Sequence, residues 1–409
     1  MKKLWIAAAA LLTALAVGLG AYEIARLPET VTVAGEETFV YRQGLLTARP
    51  EQGEVQAAAA LGPGGSYTAT LRLFDRLPLK TVRVRVGGRR TVTVLGTPFG
   101  VRLFTEGVIV VGFGTVRTAA GDCCPAREAG IQAGDNLLTV GGVAVGGNSE
   151  LAAIVRGSGG RPVPIVLERG GKRSTVYLQP AAARDGSGYK AGMWVRDSTA
   201  GIGTATFYDE ATGLIAGLGH AIADTDTGVV MPVAQGELVE AAIVGAVKGA
   251  RGAPGELKGV LSGGILASLL TNEETGIFGR VTGSPPEGSQ LPVAYRQEIA
   301  EGDAQLLCTV NGQTPQLYTC EIERVYLASR RETQNMIVRV TDSRLLAATG
   351  GIVQGMSGSP IVQNGSLVGA VTHVFVGDPT RGYGIFAENM LEKADAAAAR
   401  EREELPSAG

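Results

Sequence analysis

Histidine is nearly absent from this chain: 409 residues contain two, His220 and His373. Any mechanism that needs an imidazole must use one of them. No glutamate-bearing helix motif stands beside either, which argues against a metalloenzyme, so no metal and no other cofactor is expected. Cysteine is also scarce, at four residues, and aromatics make up 5%. Neither charge dominates: 37 Lys and Arg face 39 Asp and Glu, interspersed, for a net charge of −2. That balance gives no footprint for a nucleic-acid partner. Glycine, by contrast, is abundant at 60 residues, and Val, Thr and Gly recur in short runs. Such a composition favours many short strands joined by tight turns over helical bundles.

The N-terminus, Met1-Lys2-Lys3 and then an apolar run from Leu4 to Tyr22, has the form of a signal peptide or a membrane segment. The run is near the lower length for a span and lacks a clear small-residue cleavage site. It reads as a retained signal-anchor in preference to a cleaved signal, with the lysines left inside and the bulk exported. An exported chain is free to form disulfides. Adjacent Cys123 and Cys124 are sterically poor partners for each other. Cys308 and Cys320 lie symmetrically about Thr314 on two expected strands. They are expected either to form a cross-strand disulfide or to stay as two reduced buried thiols.

Composition divides the rest. Residues 23–95 read as a small β-rich spacer; Thr81 to Val86 alternates apolar and polar residues, as does Arg90 to Val94. In residues 96–180, Pro98 to Val101 opens a strand, Val108 to Gly112 predicts another and Pro125 to Ile131 a short helix. Gly134 to Val140 predicts a turn into a strand, Ser149 to Arg156 a helix, and Val163 to Arg169 a strand. This order resembles a bacterial PDZ domain of exported proteases. The resemblance implies that Pro98, Phe99, Gly100 and Val101 offer backbone N–H groups to a peptide's terminal carboxylate. The alternative is a domain that only packs against its neighbour. A linker at 181–190 precedes residues 191–393, whose length and recurring strands suit a two-barrel β protease. Residues 394–409, rich in Ala, Glu and Arg, read as a polar tail, helical and solvated or disordered.

The strongest chemical signal is Gly355-Met356-Ser357-Gly358-Ser359-Pro360. Glycines there let the chain turn sharply and aim N–H groups at a developing oxyanion. Ile361 to Gln363, the tight turn Asn364-Gly365 and Leu367 to Phe375 form the hairpin that follows. A serine hydroxyl needs a base. His220, at the end of an apolar run and flanked by Gly219 and Ala221, is the better candidate. His373, inside an apolar strand, reads as a structural histidine bonded to backbone. For the third member of a triad, Asp342 ends the strand Met336 to Thr341. Asp224 and Asp226 are rivals whose plainer reading is an Asx turn. Ser359 is a second possible nucleophile, but Pro360 follows it directly. The order His220, Asp342, Ser357 is the one chymotrypsin-like enzymes use.

Three segments, Gly192 to Gly203, Gly217 to Ala223 and Gly355 to Tyr383, together with Asp378-Pro379-Thr380 and Gly382-Tyr383-Gly384, resemble the stage IV sporulation protein B serine peptidases. The resemblance implies a PDZ domain before a chymotrypsin-like double β-barrel. It makes Ser357 the nucleophile, His220 the base and Asp342 the third member; acyl transfer then calls for an oxyanion hole, expected at the N–H groups of Gly355 and Ser357. It further implies a membrane-associated peptidase of endospore-forming bacteria, exported from the forespore into the intermembrane space. Its substrates would be itself, in trans, and a regulator of an intramembrane protease, which then processes the mother-cell sigma factor. The four cysteines and the region before the PDZ domain depart from that pattern. Two rivals stand beside it: a non-catalytic scaffold built on the PDZ domain, and a trypsin-like digestive protease. The anchor, the PDZ domain and the low cysteine count oppose the second.

Overall fold

Alternation of valine with charged or polar residues builds the first unit. In the strand Leu77–Gly87, Val82, Val84 and Val86 are buried while Thr81, Arg83 and Arg85 face solvent. This strand pairs in parallel with Thr30–Ala34 on one side and antiparallel with Ser66–Leu73 on the other, and two short strands complete a five-stranded sheet. The computed structural model describes residues 29–34, 39, 41–43, 46–48, 64–329 and 331–404. The expected membrane segment, residues 1–22, lies outside the described residues. Among the described residues no helix is long and apolar enough to cross a membrane.

Beyond the spacer the molecule is two closed barrels with a PDZ unit projecting from the first. The first barrel is a ring of pairings. Strand Pro98–Phe113 pairs with Val233–Val247, which continues through Glu256–Glu273, Gly276–Val281 and Leu214–Gly217 to Met193–Asp209 and back to Pro98–Phe113. Its interior holds Phe99, Leu103, Leu238, Ala267 and Ile277. Strand Thr91–Val94 joins this sheet through Phe207 and Tyr208, so the alternation read at Arg90 to Val94 belongs to the barrel and not to the spacer. The second barrel closes in the order Gly302–Cys308, Gln316–Val325, Met336–Val340, Asp378–Phe386, Ser366–Phe375, Pro360–Gln363. Leu306, Ile322, Met336, Val338, Ile361 and Phe386 fill it.

Two strands serve both the first barrel and the PDZ unit. The 16-residue strand Pro98–Phe113 and the 17-residue strand Met193–Asp209 run side by side from one to the other. In the PDZ unit their ends join strands Asn136–Val140 and Val163–Arg169 and helix Asn148–Gly157 around Val108, Leu137, Leu151, Ile165 and Leu167. Helices and strands at 125–169 fall where the sequence places them. The carboxylate loop does not. Pro98 to Val101 is extended strand, with Phe99 and Val101 buried in the barrel core and Gly100 packed beneath Leu261 and Val239. A peptide-end site needs free N–H groups on a turn, and this segment is paired along both edges.

Of the two readings for Cys308 and Cys320, the reduced buried pair stands, and one further expectation is corrected. Cys308 pairs with Gln316 and Cys320 with Ala304, because the hairpin turns about Gly312, at φ +66°, and not about Thr314. The two thiols are therefore offset along the hairpin, and both are free and buried in the second barrel's core. The C-terminal segment is a helix with one buried face through residue 404, and residues 405–409 lie outside the described residues. Helix Ala387–Glu404 lays Met390, Leu391, Ala394, Ala397 and Ala398 against Phe207, Phe278, Leu367 and Ile385, between the barrels. The i, i+3, i+4 spacing of these residues makes one apolar stripe. Ion pairs from Arg296 to Glu388 (2.9 Å), Arg90 to Asp395 (3.0 Å) and Arg280 to Glu401 hold the polar flanks. The substitution Ala397→Glu should lower unfolding stability by about 2–4 kcal/mol, since it buries an unpaired carboxylate. Chemical denaturation measures this; a loss below about 0.5 kcal/mol would show that the helix does not seal the barrels.

Candidate active site

The nucleophile loop belongs to the second barrel but is fastened to the first. Thr204 N–H donates to the Ser357 carbonyl (3.0 Å), Thr204 Oγ1 to the Gly355 carbonyl (2.8 Å) and Thr206 Oγ1 to the Gly358 carbonyl (2.7 Å). Both threonines are buried. Gly358, at φ +92°, comes so close that a Cβ there would lie 2.0 Å from the Thr204 carbonyl oxygen. A second strap comes from the first barrel's Gly255–Leu257 segment, where Leu257 N–H donates to Gln354 O (2.8 Å) and Gln354 N–H to Gly255 O (2.9 Å). Between the straps Gly355 takes φ +94°. Among the described residues, the N–H groups of Gly355 and Ser357 have no intramolecular acceptor. Those are the donors expected to form the oxyanion hole, and both residues line the cleft. Ser359 Oγ is buried without a partner, away from that lining, which fits Ser357 as the attacking serine.

His220 is presented by strand Leu214–Gly217, whose chain reverses through Leu218 (φ +65°) and Gly219 (φ +67°). A left-handed leucine is strained, and strain of this kind gathers at functional sites. Gly219 lets the second barrel close in, since a Cβ there would meet Ile385 Cγ2 at 3.0 Å and Thr372 Cγ2 at 3.1 Å. His220 and Ser357 therefore line one cleft of about 430 Å³ between the barrels.

The structure brings in a residue the sequence reading set aside. The ring of His373 lies 4.8 Å from that of His220, centroid to centroid, tilted by 36°. Among the described residues no carboxylate lines the cleft. Instead His220 Nδ1 sits 2.8 Å from the Ala221 carbonyl oxygen. A carbonyl only accepts, so the neutral ring carries its proton on Nδ1 and leaves Nε2 as the basic atom. Burial pushes the His220 pKa below the ordinary imidazole value, with the Ala221 carbonyl opposing in part. Desolvation and then the neighbouring His220 bring His373 down to about 4. Both rings are neutral at pH 7. No hydrogen bond joins Ser357 to His220 in this resting arrangement; Ser357 Oγ donates to the Thr372 carbonyl (2.8 Å).

Asp342 stands elsewhere. It caps helix Ser343–Thr349, accepting from Arg344 N–H (2.8 Å), the Arg344 guanidinium (2.9 Å) and Thr319 N–H (3.2 Å). Arg344 foremost holds its carboxyl far below the usual range. With both oxygens committed it does not reach His220, so the expected third member of a triad is a helix cap. Its rivals fare no better. Asp224 accepts from Thr227 and Asp226 N–H groups in an Asx turn, and Arg196 clamps both Asp224 and Asp226.

Two closed barrels with a serine and an imidazole in the cleft between them define a serine hydrolase of the two-barrel class. Residues 187–391 match the SpoIVB peptidase S55 family, and the chain belongs to it: it is a serine peptidase. Residues 116–169 match a PDZ domain. The chain is similar to the zinc metalloprotease RasP of Geobacillus kaustophilus (strain HTA426), 28% identical over 103 residues, 23% of this chain and 24% of RasP; it thus spans about a quarter of that relative. Among solved structures it is similar to the active form of the Rv3671c protease of M. tuberculosis (16% identity, 49% of this chain and 74% of that one, TM-score 0.28). It is also similar to the HtrA-type protease AlgW with decapeptide (15% identity, 50% of this chain and 55% of that one, TM-score 0.29).

Asp342→Ala should cost about 1 kcal/mol of stability through the lost cap. Because the carboxylate's pKa is depressed, its stabilisation is present above the ordinary carboxylate pKa and is lost as pH falls below it. The rate at which a phosphonate labels Ser357 in the folded variant should stay within about threefold of the parent, where a triad aspartate would cost on the order of 10⁴. A loss of that size with the fold intact would restore Asp342 to the machinery.

Proposed function

We propose that this peptidase acts in the sporulation signalling pathway. It cleaves itself in trans and a membrane-protein regulator of an intramembrane protease, so that the mother-cell sigma factor is processed. Membership of the SpoIVB peptidase family supports this reading, as does a PDZ unit fused to the catalytic barrels. Export across the forespore membrane, with the N-terminal segment as anchor, belongs to the same proposal. The observation that carries the chemistry is a single cleft holding Ser357, His220 and two uncommitted N–H groups.

The reaction is acyl transfer. Ser357 Oγ turns from the Thr372 carbonyl and attacks a peptide carbonyl while His220 Nε2 takes its proton. The new oxyanion accepts from Gly355 and Ser357 N–H, each such donor being worth roughly 3 kcal/mol. The charged His220, its Nδ1–H held on the Ala221 carbonyl, gives the proton to the leaving amine. Water then repeats the sequence on the acyl-enzyme. The backbone carbonyl takes over the orienting part of a triad's carboxylate, without its negative charge.

The scaffold reading draws on a different observation. A groove of about 480 Å³ separates helix Asn148–Gly157 from Ser187 and the segment 189–194, with Arg156 and Lys190 on its walls. A PDZ groove of this form takes an extended peptide as an added strand. Recruitment there and hydrolysis in the cleft are compatible, and Ser357→Ala separates them. The variant should fold, keep its groove and lose hydrolysis by at least about 10³-fold. Unchanged function and unchanged chain length in that variant would favour the scaffold.

The pH profile adds an independent check. A carboxylate partner raises an imidazole pKa, and none faces His220. The acid limb of kcat/KM should therefore fall below about pH 6.5, the ordinary imidazole value. Both depressed imidazoles also make the fold less stable as pH drops from about 6.5 towards 4, because the unfolded chain then binds more protons. An acid limb centred above pH 7 would point to a carboxylate that joins His220 during the reaction.

A further inference from the structure

We infer that His220 and His373 together form a seat for a zinc-type divalent cation, and that an ion bound there switches the peptidase off. The inhibitory part rests on the proposed function, because it takes His220 as the base of Ser357. Occupancy of the seat does not depend on that reading. Each ring leaves a nitrogen free. His220 Nδ1 lies 2.8 Å from the Ala221 carbonyl oxygen, so Nε2 keeps its lone pair. A ring tied through one nitrogen to a backbone carbonyl is how metal-binding histidines are commonly held, since that contact fixes tautomer and orientation. Among the described residues the His373 ring has no hydrogen-bond partner, and it is open to solvent. It is therefore free to turn about Cβ–Cγ, and an ion has a way in.

The spacing suits the ion. A zinc bonded to two ring nitrogens at about 2.1 Å lies about 3.2 Å from each ring centre, and a tetrahedral angle then sets the centres about 5 Å apart. The centres of these two rings are 4.8 Å apart. Both rings are neutral at pH 7, the form a metal requires, and no described Lys or Arg lines the cleft to repel a cation. Imidazole suits zinc, copper and nickel, whereas magnesium and calcium take oxygen. Among the described residues no third His, Cys, Asp or Glu joins the pair. Water completes the coordination in a cleft of about 430 Å³, so the ion is held reversibly. Once bonded to zinc, Nε2 of His220 has no lone pair left for the Ser357 proton. The serine then stays a neutral hydroxyl on the Thr372 carbonyl.

The test uses the full chain, zinc chloride as the added metal and a small fluorophosphonate. Labelling joins Ser357 Oγ to phosphorus, expels fluoride and passes the hydroxyl proton to His220; intact mass reads the adduct. At about 100 µM zinc and a dissociation constant on the order of 10 µM, mass action should slow labelling about tenfold, and EDTA should restore the rate. Millimolar magnesium or calcium should leave it unchanged. Each variant is compared with its own metal-free rate. Zinc should slow His373→Gln by less than about twofold, and His373→Cys, which returns a zinc ligand, should be slowed again. Calorimetry on Ser357→Ala reads binding without any reaction. It should show a zinc site that is lost when His373→Gln is added, which separates the seat from the partly exposed thiols of Cys123 and Cys124. No slowing in the parent, equal slowing in parent and His373→Gln, or equal calorimetry in the two chains would overturn the inference. If the metal-free chain takes no label, the nucleophile assignment fails instead, and the calorimetric difference alone upholds or overturns the zinc seat.

Discussion

The contact on which the active site depends is the meeting of Gly358 with Thr204. The Ser357 loop comes from one barrel and His220 from the other, so the pairing proposed for catalysis exists only where the barrels meet. Thr204 and Thr206 offer one N–H and two hydroxyls to three carbonyls of the loop, and the missing side chain at Gly358 lets the backbones touch. Three hydrogen bonds in one buried to part-buried patch contribute about 1 kcal/mol each, and an unmade one costs more. That is enough to hold Ser357 in register with a histidine 137 positions earlier in the chain. Glycine is required here by space as well as by φ.

The same economy explains what the sequence made legible. Ser357 stands out because its glycine-flanked loop runs straight into a hairpin, and His220 because the chain has one other histidine. The PDZ helices and strands carry their own periodicity, so local residues specify them. Asp342 misleads for a physical reason: an aspartate at a strand end, followed by Ser-Arg-Leu-Leu, is equally a helix cap, and its Arg344 partner lies two residues away. The Pro98 to Val101 loop fails because a strand can continue from one domain into another without any local mark. The cysteine pairing fails by a shift of the turn from Thr314 to Gly312, which moves each strand partner by four residues. Thr204 and Thr206 give almost no signal, since alternating threonines are common in any strand. Their burial alone distinguishes them.

Long strands make the PDZ unit and the barrel one mechanical object. Met193 and Trp194 line the PDZ groove, and Thr199, Gly201 and Ile202 of the same strand line the catalytic cleft. Between them Arg196 clamps Asp224 and Asp226, in the loop that follows His220. Asp224 is buried and accepts from three neighbouring groups of its turn, so hydrogen bonds brace this loop where it meets the strand. The interruptions in register at Trp194/Val195 and Arg196/Ser198 fall between groove and cleft.

An imidazole without a carboxylate is a weaker base, and the site compensates in kind. The Ala221 carbonyl fixes the tautomer at no charge, and burial beside a second imidazole keeps His220 unprotonated at neutral pH, with Nε2 ready. The cost falls on the charged intermediate, which lacks a carboxylate to stabilise it. What remains to lower the barrier is the oxyanion hole, the exclusion of water by apolar walls and the alignment of the substrate. Resting Ser357 donates to Thr372 and not to His220, so the base becomes useful only once the hydroxyl has turned. A peptide that fills the apolar cleft displaces the water around that hydroxyl and strengthens each hydrogen bond left inside. Activation of the serine then follows from the drying of the cleft.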